Sequence, residues 1–227
     1  MRKNIFQKVQ CILWFQCICF FASAQLPEGF VYVKEAIPDI EVSLSYFGTE
    51  NFVGDTINGY RAHKLILSSA SAKALAKVHA ELQSKNLCLL VFDGYRPQTA
   101  VNHFVNWAKD LNDTLQKSKF YPKVEKRYLF RDGYIASRSG HSRGSTIDLT
   151  LIDGNTGKQL DMGTPFDFFG LESAVNYKEL SLEQKSNRAI LQHVMQKHGF
   201  RNYPQEWWHF TLRNEPFPDT YFDFFVE

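Results

Sequence analysis

Two short segments of this chain carry residues that can do chemistry together. Ser139-Gly140-His141-Ser142-Arg143-Gly144-Ser145-Thr146-Ile147-Asp148 sets an imidazole and a carboxylate seven residues apart on a glycine-containing turn. Glu206-Trp207-Trp208-His209 sets a carboxylate and an imidazole three apart. Two histidines and one carboxylate bind Zn²⁺ well and leave a fourth position for water, the catalytic arrangement of that ion. The second carboxylate is then free to act as a base. A third segment, Asp93-Gly94-Tyr95-Arg96-Pro97, ends an apolar run and places Arg96 where a guanidinium can reach into a cleft and hold an anion or oxyanion. His79, His103, His193 and His198 fall in predicted helices and His63 stands isolated, so these five are assigned ordinary surface or core roles.

The spacings constrain the elements that position these groups. In a regular strand, residues three or seven apart point to opposite faces. His141 must therefore lie in the turn before its strand, which Gly140 and Gly144 permit, and Glu206 must lie before or at a bulge. The strand after His141 is Thr146 to Leu151, which alternates strongly. Leu87 to Phe92 is a continuous apolar run and reads as a buried strand. Pro97 opens a helix to about Leu111. Ser69 to Ser84 carries Ala70, Ala74, Leu75, Val78 and Leu82 on one helical stripe. Ser181 with Gln184 is a capping-box signature for a helix that ends at Gly199. Phe30 to Val33, Glu41 to Ser45 and Trp207 to Leu212 complete the strands, 51–60 is a loop, and Asp153-Gly154-Asn155 is a turn. Without a regular βαβ alternation, the expected class is α+β: a mainly antiparallel central sheet flanked by helices.

Composition sets the outer bounds. The 227 residues are 44% hydrophobic and 22% charged, which excludes a disordered, collagen-like or coiled-coil chain. Arg2, Lys3 and Lys8 precede an apolar run from Cys11 to Ala22, and Ala22-Ser23-Ala24 supplies small residues for cleavage. That pattern is expected to be a secretory signal over 1–24, too short to span a bilayer, with 25–227 as one exported, periplasmic domain and no membrane anchor after cleavage. The remainder holds 23 basic against 24 acidic residues, which offers no argument for a nucleic-acid partner. Three of the four cysteines lie in this leader, so Cys88 alone remains and no intrachain disulfide is expected.

These residues, taken together, resemble the VanX-type D-alanyl-D-alanine dipeptidases of the zinc DD-peptidase family M15, whose fold is shared with the hedgehog signalling domain. The likeness runs from about Val42 to Thr211. It rests on five ordered motifs: Tyr46 through Gly54, Asp93 to Pro97, His141 to Leu151, Asp161 to Asp167 and Glu206 to His209. Two positions depart from the family pattern. Thr146 stands where Ala is usual, and Gly140 beside Ser139 alters the turn before His141.

The resemblance implies one Zn²⁺ per chain, held by His141, Asp148 and His209. It implies Glu206 as general base and Arg96 as the group that stabilises the transition state. Asp167 and Tyr46 match positions near the substrate's ammonium, and Ser139 one near its carboxylate. The implied activity is hydrolysis of D-Ala-D-Ala to two D-alanines, with a role in cell-wall turnover or dipeptide salvage. An exported enzyme cannot remove the dipeptide before it enters cytoplasmic wall precursors, which speaks against a glycopeptide-resistance role. The rivals are a zinc carboxypeptidase or endopeptidase acting on peptidoglycan peptides, and a non-catalytic zinc-containing module. The spare Glu206 disfavours the last, since structural zinc is usually closed by four protein ligands.

Overall fold

The computed structural model of the protein describes residues 26–227. The expected secretory signal lies outside the described residues. In chain order the elements are β1 (Phe30–Tyr32), α1 (Val33–Ala36), β2 (Glu41–Val42), β3 (Ile66–Ser68), α2 (Ser69–Gln83), β4 (Leu87–Asp93), α3 (Gln98–Lys109), α4 (Lys117–Phe120), β5 (Thr146–Asp153), α5 (Leu182–Lys197), β6 (Phe200–Tyr203) and β7 (Glu206–Leu212). The fold is α+β. The main sheet has the order β2-β4-β5-β7-β6, antiparallel throughout except for the β2–β4 edge pair. A small second sheet pairs β1 with β3.

Local chemistry sets the helix ends. The Ser68 hydroxyl accepts from the Ser71 N–H and starts α2, and a complete capping box between Ser181 and Gln184 starts α5. The apolar stripe of α2, including Leu75, Val78 and Leu82, is buried. One hydrophobic cluster runs from Phe30 to Val226, with β5 buried at every position from Thr146 to Ile152.

Three departures from the sequence pattern have physical reasons. β2 is two residues long instead of five, yet the Ser43 and Ser45 N–H groups still donate to Val91 and Phe92 carbonyls, so the chain follows β4 without regular pairing. β3 and β6 are short strands abutting helices, where no period can develop. The 153–155 turn leads into a single bridge, Ile152 with Gln159, and not into a paired strand of its own. Among the described residues, no helix is long and apolar enough to cross a membrane.

Candidate functional site

The register of the sheet builds the site. Asp93 at the end of β4, Asp148 on β5 and His209 on β7 are cross-strand neighbours, Asp93 opposite Asp148 and Asp148 opposite His209. Directly opposed residues share a face, so the three groups line up across three strands. A register shift between Val91 and Asp93 swings the end of β4 toward the site. A second shift between Asn202 and Tyr203 pairs Tyr203 with Glu206, the first residue of β7. That irregularity lets Glu206 and His209, an odd number of residues apart, face the same cavity. Trp207 and Trp208 are buried between them; the Trp207 indole N–H donates to Thr164 Oγ1 at 2.8 Å.

His141 arrives from a single 3-10 turn, Gly140–Arg143, before β5. Gly144 closes this turn at φ +75°, in the left-handed region, and a Cβ there would sit 2.2 Å from the Phe30 ring. The His141 Nδ1–H donates to the Gly94 carbonyl at 2.7 Å, which turns the Nε2 lone pair toward the centre. Gly94 itself approaches Ile66 O so closely that a Cβ would lie 2.7 Å from it.

At the centre, His141 Nε2 lies 3.2 Å from Asp148 Oδ2, and His209 Nδ1 lies 3.0 Å from Asp148 Oδ1. The two imidazole nitrogens are 3.4 Å apart. One ligand atom from each residue falls within 4.8 Å of the others. Asp148 Oδ1 is buried without a hydrogen-bond donor, the orphaned atom that a bound cation satisfies. Burial works against ionisation of Asp148, but the His141 and His209 imidazoles outweigh it and hold the carboxyl well below its usual range. Two imidazoles and a permanently ionised carboxylate fit a divalent metal ion.

Around this centre stand the other candidates. Glu206 Oε2 is 3.3 Å from His209 Nδ1, and burial pushes its carboxyl up to about 7 against the pull of His209 and Arg96. Arg96 is 12% exposed, donates from Nε to Asp93 Oδ2 at 2.9 Å and brings Nη2 to 3.5 Å from Asp148. The Tyr46 hydroxyl donates to Asp167 Oδ2 at 2.8 Å. Burial, reinforced by the Asp148 charge, raises the Asp167 carboxyl well above its ordinary range. Asp167 also holds φ +60°, an uncommon conformation for a residue with a Cβ and one associated with ligand sites. Ser139 caps the 3-10 turn by accepting the His141 N–H at 3.3 Å, and its own O–H donates to no group among the described residues. All eight residues named in the sequence line one cavity of about 250 Å³.

Two partners escaped the sequence reading as individuals. Asp93 lay inside a noted motif, and Tyr60, whose hydroxyl donates to Asp93 Oδ1 at 2.6 Å, lay in a loop with no signal of its own. Four of the five remaining histidines have other partners: His198 bonds Glu81 at 2.8 Å, His63 and His103 accept backbone N–H groups, and buried His79 lies 3.3 Å from Asp39.

A profile of the Peptidase_M15 family, described as D-ala-D-ala dipeptidase, matches residues 27–227. A D-alanyl-D-alanine dipeptidase of Enterococcus faecalis is 40% identical over 201 residues, 88% of this chain and 100% of the relative. Proteins of the same name from Enterococcus faecium and Streptomyces coelicolor are 37% and 38% identical, covering 88% and 86% of this chain and 98% and 96% of theirs.

Proposed function

The chain belongs to the D-alanyl-D-alanine dipeptidase family of M15 metallopeptidases, and from that premise we propose that it hydrolyses D-Ala-D-Ala to two molecules of D-alanine at a zinc site on His141, Asp148 and His209. The observation that carries this reading is the convergence of three ligand atoms within 4.8 Å, with Glu206 beside one of them. When bound, a zinc ion supplies Lewis-acid activation of water and of the scissile carbonyl.

The side chains do the rest. Glu206 takes a proton from the attacking water and delivers it to the departing amine, so one water is consumed and one peptide bond is cleaved. Burial favours this exchange, because it raises the carboxyl's proton affinity above that of an exposed glutamate. Arg96, braced by Asp93, meets the negative charge that develops on the carbonyl oxygen. Losing such a partner costs on the order of 3 kcal/mol, about a hundredfold in rate. Tyr46 and Asp167 receive the free ammonium, and the Ser139 hydroxyl donates to the terminal carboxylate. An acylated N-terminus would leave the buried Asp167 carboxyl without its cation, which selects dipeptide over longer peptides.

The exported location and a salvage role in wall turnover belong to the same proposal, supported by the basic, apolar and small-residue pattern of 1–24. The test is a comparison of free D-Ala-D-Ala with N-acetyl-D-Ala-D-Ala, together with fractionation of the expressed protein. Rapid release of D-alanine from the free dipeptide alone is expected. Faster cleavage of the acylated compound would make the protein a carboxypeptidase, and a cytoplasmic mature protein would remove the salvage role.

A further inference from the structure

A dipeptide substrate is a zwitterion, and both of its charges must be met when it leaves water. The cavity offers Asp167 for the ammonium. Its lining holds two cations, Arg96 and Arg138. Arg96 is committed: it is largely buried, bonded to Asp93 and next to Asp148. Arg138 is exposed and forms no ion pair among the described residues. Arg143, which lies over the same Tyr221 ring, is by contrast paired with Glu215 at 2.7 Å.

We propose that Arg138 is a specificity residue that recognises the free α-carboxylate of the dipeptide at the mouth of the cavity. Its guanidinium carbon sits 5.2 Å from the centre of the Tyr221 ring, a cation–π contact that supports the group. No carboxylate among the described residues pairs with its N–H fork, a geometry that matches a carboxylate in a two-point contact. Ser139 is the next residue in the chain, so two consecutive residues, one with a guanidinium and one with a hydroxyl, line the same cavity. Arg138 and Asp167 then read the two ends of the substrate. A peptide extended at its C-terminus presents a neutral amide to Arg138 and gains nothing from it.

This inference rests on the dipeptidase reading and deepens it. Arg138 is exposed, so its replacement leaves the fold intact, and its attraction is screened by salt. The test is steady-state kinetics of wild type, Arg138→Gln and Arg138→Lys on D-Ala-D-Ala and on its C-terminal amide. An amide that turns over too slowly is measured by its inhibition constant against the dipeptide. Arg138→Gln should raise KM for the dipeptide about tenfold with kcat within about twofold, at low salt. Arg138→Lys should recover most of that loss, and 0.5 M salt should narrow the gap between wild type and Arg138→Gln. The amide should not distinguish wild type from Arg138→Gln. An unchanged KM for the dipeptide, or equal losses for dipeptide and amide, overturns the assignment of Arg138 alone. A wild-type enzyme inactive on the dipeptide overturns the reading beneath it, and this inference with it.

Discussion

The Tyr46 hydroxyl donates to Asp167 Oδ2 at 2.8 Å, joining residues 121 positions apart in the buried wall of the cavity. Burial holds the Asp167 carboxyl protonated beyond the range of an ordinary aspartate, although Tyr46 and Arg96 oppose this. A substrate ammonium seated at Asp167, as proposed, favours the ionised form, so binding would expel that proton. Binding therefore strengthens as pH rises through the raised value. Calorimetry of D-Ala-D-Ala binding to Glu206→Ala, in buffers of different ionisation enthalpy and over a range of pH, should detect proton release that fades as pH rises through the raised Asp167 value. Asp167→Asn should abolish the release and raise KM about ten- to hundredfold, the worth of a hydrogen bond to a charged group. Proton release that survives in Asp167→Asn would assign it to another group.

The ligand set predicts the response to metal removal. An ion that binds only the folded chain stabilises it by about 2.7 kcal/mol when free ion exceeds Kd a hundredfold. At roughly 2–4 °C per kcal/mol for a domain of this size, chelation should lower Tm by roughly 5–11 °C. It should also abolish hydrolysis, and Zn²⁺ should restore both. In Asp148→Asn the central carboxylate between His141 and His209 is gone. Its Tm should be the same with and without chelator. A chelator-sensitive Tm in that variant would put the ion elsewhere.

Much of this site was legible because its residues sit in compact local motifs. His141 and Asp148 belong to one turn and strand, Glu206 and His209 to one strand, and the odd spacings required the turn and the irregularity that the sheet contains. Helix boundaries were legible where a side chain closes the first turn, as at Ser181 with Gln184. What sequence could not supply was pairing at a distance. Nothing near Tyr60 announces that its hydroxyl reaches Asp93 across 33 residues. The two-residue β2 and three-residue β3 are set by tertiary hydrogen bonds, and are too short for any periodicity.

As the proposed base, Glu206 must be ionised to accept a proton, so activity should fall as pH drops through its pKa. Burial places that carboxyl at about 7 in the metal-free protein. A cation held by neighbouring His209 favours the carboxylate and moves the value down. The acidic limb of log kcat/KM in the zinc-loaded enzyme should accordingly lie below 7. Glu206→Gln should lower kcat by about 10²- to 10⁴-fold while metal content stays stoichiometric. A limb above 7, or a Gln variant that keeps its kcat, would take Glu206 out of the base's role.

Asp93 is the residue through which the fold aims Arg96. Its carboxylate is buried and accepts from Arg96 Nε at 2.9 Å and from Tyr60 Oη at 2.6 Å. Asp93→Asn keeps the volume and removes the charge that braces the guanidinium. A charge-assisted bond is worth about 1.5–3 kcal/mol, so kcat should fall about ten- to hundredfold. Because Asp93 acts through Arg96, the same substitution in an Arg96→Ala background should change kcat by less than about twofold. Metal content should hold in both variants, since the Gly94 carbonyl, at 2.7 Å, fixes the His141 Nδ1–H more closely than Asp93 does at 3.4 Å. Tyr60→Phe, which removes one neutral donor and leaves the Arg96 contact, should cost less than Asp93→Asn. Equal losses from Asp93→Asn in the two backgrounds would show that Asp93 works on something other than Arg96, and loss of metal would direct attention to His141.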